Sequence, residues 1–364
     1  MKSTINWADQ TIMITGHTGF KGAWLSLLLR QLGACVHGYA LNPSIQPNLF
    51  TITKINSVLA SDTRADLMDL AQLKFALQKS QPAIIFHLAA QSLVRESYRN
   101  PLDTLNSNVI GTVHLLEAAR EIDSIRAIIV VTTDKVYENN ESENAYSEND
   151  PLGGHDIYSA SKAAAEIITA SYRRSFFNAS STKSVNIATA RAGNVFGGGD
   201  WAMDRLIPDC IRSFQKKIPV QLRFPNSVRP WQHVLEPLRG YLQLAEKLLS
   251  PDGKQFSHAW NFGPDINNDL TVGTIANTIA RLWGKDAVVV IDKSKSHPHE
   301  AHMLQLNSKE ARKKLHWKPR WEFEYALQQT VSWYKAWQQD KNMFEFCNQQ
   351  IQAYMTEKEY AKSI

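Results

Sequence analysis

Cysteine is scarce in this chain, long apolar runs are missing, and neither sign of charge prevails. Only three cysteines occur in 364 residues, Cys35, Cys210 and Cys347, with no C-x-x-C pair and no histidine pair nearby. That excludes a disulfide framework and a cysteine-ligated zinc site. No window approaches the roughly 20 apolar residues that a membrane-spanning helix needs, and residues 1–10 carry no apolar signal core. The expectation is a protein of the reducing cytoplasm with no membrane partner. Forty Lys and Arg stand against 35 Asp and Glu, a net charge of +5; they are interspersed, so no basic stripe marks a nucleic-acid surface. Repeats and low-complexity stretches are absent too. What is there, 43% hydrophobic and 21% charged residues, fits a globular fold, and the length predicts one large core with a smaller appended lobe.

The chain is organised around Ile128 to Tyr137 (IIVVTTDKVY). Four branched apolar residues that stop at Thr132, Thr133, Asp134 and Lys135 read as a buried parallel strand delivering a hydroxyl, an acid and an amine to its carboxyl end. Open α/β sheets bind ligands at that end. A polar loop after a core strand would look similar, so the rest of the sequence decides. Upstream, the apolar Thr11–Thr15 runs into Gly16–Gly22 (GHTGFKG), and helical periodicity follows from Ala23 to Arg30. Strand, glycine turn and helix let a pyrophosphate sit on a helix N-terminus. Gly16 allows the tight turn, Gly19 close backbone approach and Gly22 close helix packing; Thr18 and Phe20 are grouped with them as cofactor-binding. His17 reads as a turn residue rather than a catalyst. The expected fold is α/β, a Rossmann-type doubly wound parallel sheet with a smaller α/β substrate-binding lobe, and the expected cofactor is NAD.

One more absence is local. The strand Cys35–Ala40 should end in the carboxylate that binds the ribose of NAD, but Tyr39-Ala40-Leu41-Asn42 offers neither an acid nor an arginine for a 2′-phosphate. NAD is favoured over NADP, with a weak hold on this side. Asp62, after Val58-Leu59-Ala60, is expected to end the third strand and accept from the adenine amino group; its alternative is a cap for a helix over Leu67–Lys79. The apolar strand Ala83–Ala90 ends in Leu88, Ala89 and Ala90, which leave room for a flat cofactor. A helix over Asn106–Glu117 carries Asn108, placed with the catalytic residues, although a buried amide can equally serve as a structural hydrogen-bond partner. Tyr158 and Lys162, four apart on a helix face, set an ammonium beside a phenol, which would favour the phenolate that a base for an alcohol proton must be.

Glycine turn, Leu-Ala-Ala strand end, Thr133 and Tyr158/Lys162 together resemble the extended short-chain dehydrogenase/reductase superfamily, in its nucleotide-sugar-modifying branch. The narrower resemblance is to the CDP-glucose 4,6-dehydratase family. It rests on GHTGFKG, Thr133-Asp134-Lys135, RAGN at Arg191–Asn194, GGGDWA at Gly197–Ala202, Asp204-Arg205, RPWQH at Arg229–His233, WNFG at Trp260–Gly263 and PHEA at Pro298–Ala301. The resemblance implies NAD-dependent oxidation of CDP-glucose at C4, elimination of water across C5 and C6, and hydride return to C6. Tyr158 would take the C4 hydroxyl proton helped by Thr133, and Lys162 would hold the nicotinamide ribose. Related dTDP-glucose dehydratases carry Thr-Asp-Glu at this strand end, with Asp as acid and Glu as base. This chain has Lys135 in place of the Glu, and a lysine acts as a base only if its pKa falls from roughly 10.4. Asp134 is expected as the acid and Lys135 as the C5 base, with simple binding of sugar hydroxyls as the alternative for Lys135.

The resemblance also places Asn194, Arg205, Arg229 and Asn261 on the nucleotide-sugar diphosphate, with Arg223 a further nucleotide contact. It implies an NAD-binding domain from 1–194 and 230–263, a nucleotide-sugar lobe from 195–229 and 264–310, and C-terminal helices with a polar tail over 311–364. It further implies a homodimer or homotetramer and a role in supplying deoxysugars for surface polysaccharide. His297, His299, Glu300 and His302 lack the spacing of a helical metal motif, so no metal is expected. A nucleotide-sugar 4-epimerase or decarboxylase would share the turn and Tyr158/Lys162 without needing Asp134 and Lys135; a non-catalytic NAD-binding regulator would need none of these.

Overall fold

The computed structural model describes residues 5–140, 144–177, 184–264, 270–292 and 303–356. At its centre lie seven strands: β1 (Thr11–Thr15), β2 (Cys35–Ala40), β3 (Ser61–Arg64), β4 (Ile84–His87), β5 (Ala127–Val131), β6 (Asn186–Ala192) and β7 (Ala259–Phe262). Their order is β7-β6-β5-β4-β1-β2-β3, and every pairing is parallel. The chain builds outward from β1 in one direction, then returns at β4 to build the other. This is the doubly wound Rossmann arrangement, and its ligand crevice lies where the order reverses, beyond the carboxyl ends of β1 and β4.

Side-chain alternation along each strand explains why the strands are apolar almost throughout. Ile12, Ile14, Ile84, Phe86, Ile129 and Val131 pack on one face of the sheet, while Met13, Ile85, Ile128, Val130 and Ile187 pack on the other. Helices cover both faces, so neither set can be polar. β3 is the exception: all four of its residues are only half-buried. It forms at Ser61–Arg64 rather than over the apolar Val58–Ala60, which makes Asp62 its second residue and Arg64 its last. The following helix runs Leu70–Ser80 and is capped by Asp69, which accepts from the Gln72 amide at 2.9 Å. Asp62 caps nothing, because the chain needs five more residues to cross from the strand end to the helix.

Beyond β6 the chain forms a smaller set of elements, with a helix at Leu206–Gln215 and a parallel pair of strands, Val220–Leu222 and Val289–Ile291. β7 then joins the edge of the main sheet beside β6. Residues 343–356, which read as polar, form a helix that buries Met343, Cys347, Ile351 and Tyr354. The Tyr354 hydroxyl donates to the buried Glu236 at 2.5 Å, tying this helix to the core. His297, His299, Glu300 and His302 lie outside the described residues.

Candidate active site

The glycine turn is built as a cradle. Gly16 has φ +78°, and a Cβ there would lie 2.5 Å from the Ala89 amide nitrogen, so the turn rests directly on the Leu88–Ala90 strand end. A Cβ at Gly22 would lie 2.1 Å from the Gly16 carbonyl; helix and turn touch through backbone alone. A Cβ at Gly19, by contrast, would meet only the Gly16 carbonyl, at 3.4 Å, and the helix Phe20–Gln31 starts there without a side-chain cap. A helix N-terminus whose first N–H groups no side chain caps is what a dinucleotide pyrophosphate requires, so these residues fit NAD. Thr18 donates to the Leu41 carbonyl at 3.0 Å and joins the turn to the end of β2; the Phe20 ring approaches Gly197.

At the outer edge of the cradle, Asp62 is already engaged, bonded to His17 Nε2 at 2.8 Å and to Arg64 Nε at 2.7 Å. Burial, outweighing the Asp62 contact, holds the His17 pKa below its usual value. Sequence reasoning missed Arg64, whose guanidinium lies 4.4 Å above the Phe50 ring. It reaches the end of β2 from the neighbouring strand, since Ala40 and Arg64 are in register. Lys21 was also missed. Burial and then the nearby Arg205 push its pKa down to about 7, with Asp134 opposing and Lys162 adding to the fall. Its signal was a lysine set between Phe20 and Gly22 inside the glycine turn.

Thr133, Asp134, Lys135, Tyr158 and Lys162 converge beyond β5. Thr133 caps the short 3-10 turn Asp134–Val136 and donates to Asp134 Oδ1 at 2.9 Å. Lys135 Nζ lies 3.8 Å from the same oxygen, and its side chain is 32% exposed where Asp134 is 1% exposed. Tyr158 and Lys162 come from the helix Ile157–Phe176, capped by Asp156 and pinned where the Tyr158 amide donates to Ser97 at 3.2 Å. The phenol does not have the lowered pKa expected from Lys162. Burial raises it to about 12; the Thr133 hydrogen bond and Arg205 oppose this, while Asp134 adds to it. Lys162 donates instead to the Val131 carbonyl at 3.3 Å, and burial, partly offset by Glu166, lowers its own pKa to about 8.

Two predicted site residues are consumed inside the protein. Asn108 accepts from the Gln91 amide at 2.8 Å and donates to the Gln91 carbonyl at 3.0 Å and to Ser161 at 2.9 Å. It fastens the chain after β4 to the Tyr158 helix, the structural alternative, and is 1% exposed. Asn261 accepts from the Tyr137 hydroxyl at 2.7 Å and donates to the carbonyls of Tyr146 and Asn307 at 2.9 and 3.2 Å. It is fully buried, because β7 lies at the sheet edge with Tyr137 and residue 146 packed over it. Asn194 keeps a half-buried side chain while its carbonyl accepts from the Gln232 amide.

The predicted arginines diverge. Arg205 donates to Asp200 at 2.8 Å and to Ser92 at 3.3 Å; burial disfavours its charge, but Asp200 raises its pKa on balance. Arg223 lies 3.6 Å from Asp204, which also pairs with Arg95 at 3.1 Å. Arg229 donates to the Val228 carbonyl at 2.8 Å. A buried acid, an amine, a buried phenol and a nearby half-buried guanidinium can move protons to and from a polyhydroxylated substrate.

A family model described as GDP-mannose 4,6 dehydratase matches residues 13–330. A CDP-glucose 4,6-dehydratase of Salmonella typhimurium is 46% identical over 352 residues, 96% of this chain and 97% of that protein. A dTDP-glucose 4,6-dehydratase of Haemophilus influenzae is 25% identical, over 89% of this chain and 97% of that protein. Among solved structures, the dTDP-glucose 4,6-dehydratase of Bacillus anthracis in complex with NAD superposes with a TM-score of 0.73 at 22% identity, covering 92% of this chain and 99% of that one. The UDP-glucose 4-epimerase of Thermotoga maritima gives 0.76 at 20% identity, covering 90% and 99%; these two likenesses bear on the fold alone. With a parallel Rossmann sheet, a family model matched over residues 13–330 and a relative 46% identical over nearly the whole chain, the chain belongs to the GDP-mannose 4,6 dehydratase family.

Proposed function

We propose that this chain is an NAD-dependent lyase that converts CDP-glucose to CDP-4-keto-6-deoxyglucose. The observation that carries this is the Asp134-Lys135 pair set directly after Thr133 at the end of β5, an acid and an amine where C5/C6 elimination needs them. The 46% identity to a CDP-glucose 4,6-dehydratase over nearly the whole chain supports the same substrate. Bound NAD supplies a reversible hydride acceptor for the sugar. Tyr158 takes the C4 hydroxyl proton, and Thr133 favours its phenolate. Lys162 and the residues of the glycine turn hold the cofactor, in a domain of residues 1–194 and 230–263. Asp134 protonates the departing C6 hydroxyl; Lys135 removes the C5 proton and returns it. Asn194, Arg205, Arg223 and Arg229 serve the diphosphate, for which a planar guanidinium is suited, in a lobe of residues 195–229 and 264–310.

A homodimer or homotetramer is supported by an apolar surface beside the site, where Leu102, Ile167 and Tyr98 are 72%, 57% and 55% exposed; light scattering tests it. Three unpaired cysteines fit the cytoplasm, and among the described residues no helix is long and apolar enough to cross a membrane. The activity is tested by incubating the protein with CDP-glucose and NAD⁺ and looking for a product lighter by one water. No such product from CDP-, dTDP- or GDP-glucose would sink the proposal, and a C4 epimer would point to the epimerase instead.

A further inference from the structure

Arg205 bridges two parts of the molecule. It is the residue before the helix Leu206–Gln215 of the smaller set of elements, and its Nη2 reaches Ser92, in the chain beyond the carboxyl end of β4, at 3.3 Å. Its other terminal nitrogen, Nη1, donates to Asp200 Oδ2 at 2.8 Å. A long side chain that is 32% exposed has many rotamers open to it, so holding it in one direction takes a rigid partner.

Asp200 is that partner. Its side chain is 6% exposed, and each of its oxygens accepts a hydrogen bond: Oδ2 from Arg205, Oδ1 from the Ala202 amide at 3.1 Å, and the backbone carbonyl from the Tyr334 hydroxyl at 2.5 Å. Tyr334 belongs to the helix Phe323–Gln338 and is fully buried. The same helix grips the residues on either side of Asp200. Trp201 lies edge-on to the rings of Tyr334 and Trp337, with centroids 5.1 and 4.7 Å away, and a Cβ at Gly198 would run into the Trp333 ring. From the helix Phe20–Gln31, Trp24 Nε1 donates to the Gly198 carbonyl at 2.9 Å. Core packing therefore fixes the segment around Asp200, and Asp200 passes that rigidity to a guanidinium left partly in solvent.

We propose that Asp200, braced by Tyr334, is a positioning residue that aims Arg205 at the diphosphate of the nucleotide sugar. This rests on the reading of Arg205 as a diphosphate ligand and adds what sets its direction. A guanidinium has five N–H donors in a fixed fork. With one edge anchored on a buried carboxylate, the remaining donors meet a phosphate already oriented, and less freedom is lost on binding. The helix Phe323–Gln338, outside the proposed nucleotide-sugar lobe, thereby takes part in substrate binding.

Charge and aim predict opposite signs for the loss of Asp200. Removing a negative charge beside an anion site tightens binding by Coulomb attraction alone; removing the anchor weakens it. The test measures CDP binding to the NAD⁺-loaded enzyme by calorimetry, for wild type, Asp200→Asn, Arg205→Met and the double variant. Arg205→Met weakens CDP about tenfold or more, the loss of a charge-assisted hydrogen bond. Asp200→Asn weakens it about fivefold, and in the Arg205→Met background the same substitution weakens it no further. In turnover of CDP-glucose, the Asp200→Asn loss falls on KM more than on kcat. Tighter or unchanged CDP binding in Asp200→Asn overturns the aiming, and so does an equal loss in both backgrounds, which marks general damage. If Asp200→Asn does not fold by circular dichroism, Tyr334→Phe loosens the same anchor without removing its charge. It is expected to weaken CDP about threefold in the wild-type background only, and no loss there overturns the aiming. A wild type that does not bind CDP, or an Arg205→Met variant with wild-type affinity, overturns the diphosphate reading and the aiming together; a weakened Arg205→Met beside an unweakened Asp200→Asn overturns the aiming alone.

Discussion

Thr132 and Thr133 are neighbours at the end of β5, yet they serve clusters of opposite character. Thr132 donates to Glu166 at 2.5 Å; the same carboxylate also accepts from Thr189 at 2.5 Å and from Arg191 at 2.9 and 3.0 Å. Arg191 goes on to donate to Tyr137 at 2.8 Å, and Tyr137 to Asn261. Every partner in this girdle is buried and engaged. On the Thr133 side, Asp134 keeps a bare oxygen and Lys135 stands at 3.8 Å rather than in a close bond. Saturation makes one cluster a clamp between β5, β6, β7 and the Tyr158 helix. Incomplete pairing leaves the other able to exchange protons.

If that division holds, substitutions on the two sides fail in different ways. Tyr158→Phe should lower kcat about 10³-fold with the thermal midpoint nearly unmoved; a large fall in that midpoint would make the phenol part of the clamp. Glu166→Gln should cost about 3–5 kcal/mol in urea unfolding, because it leaves the Arg191 charge buried without its partner. A loss under about 1 kcal/mol would show that the girdle is not the clamp. Lys135→Met should abolish exchange of the C5 hydrogen with solvent while leaving the fold intact, and unchanged exchange would exclude the base role.

The smallest effect concerns Lys21, whose pKa in the fold is about 7 against an ordinary 10.5. Between those values the unfolded chain binds more protons, so this group makes stability rise with pH. Without cofactor, Lys21→Met should be more stable than wild type near pH 6, and the advantage should shrink as pH climbs from about 7 to about 10. A difference independent of pH would mean that Lys21 is not held in this environment.

The active face was readable because its chemistry is local in sequence. A strand that stops at Thr133-Asp134-Lys135, a glycine turn at Gly16–Gly22 and a one-turn Tyr158/Lys162 spacing each declare themselves within a few residues. The girdle was not readable in the same way. Asn261 and Asn108 looked like site residues because polar side chains on apolar elements look alike whether they face a ligand or Tyr137 and Gln91. Only the packing of β7 and of the Tyr158 helix decides between these. Arg64 was hidden for a related reason: it stands at the end of β2 through strand register, while β3 has no apolar run to announce it. The Tyr158 phenol was misjudged because spacing shows that a cation is near but not how deeply the ring is buried.

The most direct measurement follows the hydrogen at C4. CDP-glucose carrying deuterium at C4 is converted by the NAD⁺-loaded enzyme, and the product is read by mass spectrometry and NMR. Dehydration through this site predicts that the deuterium appears at C6 of a 4-keto-6-deoxy sugar. Deuterium retained at C4 in an epimerised or unchanged sugar would contradict it.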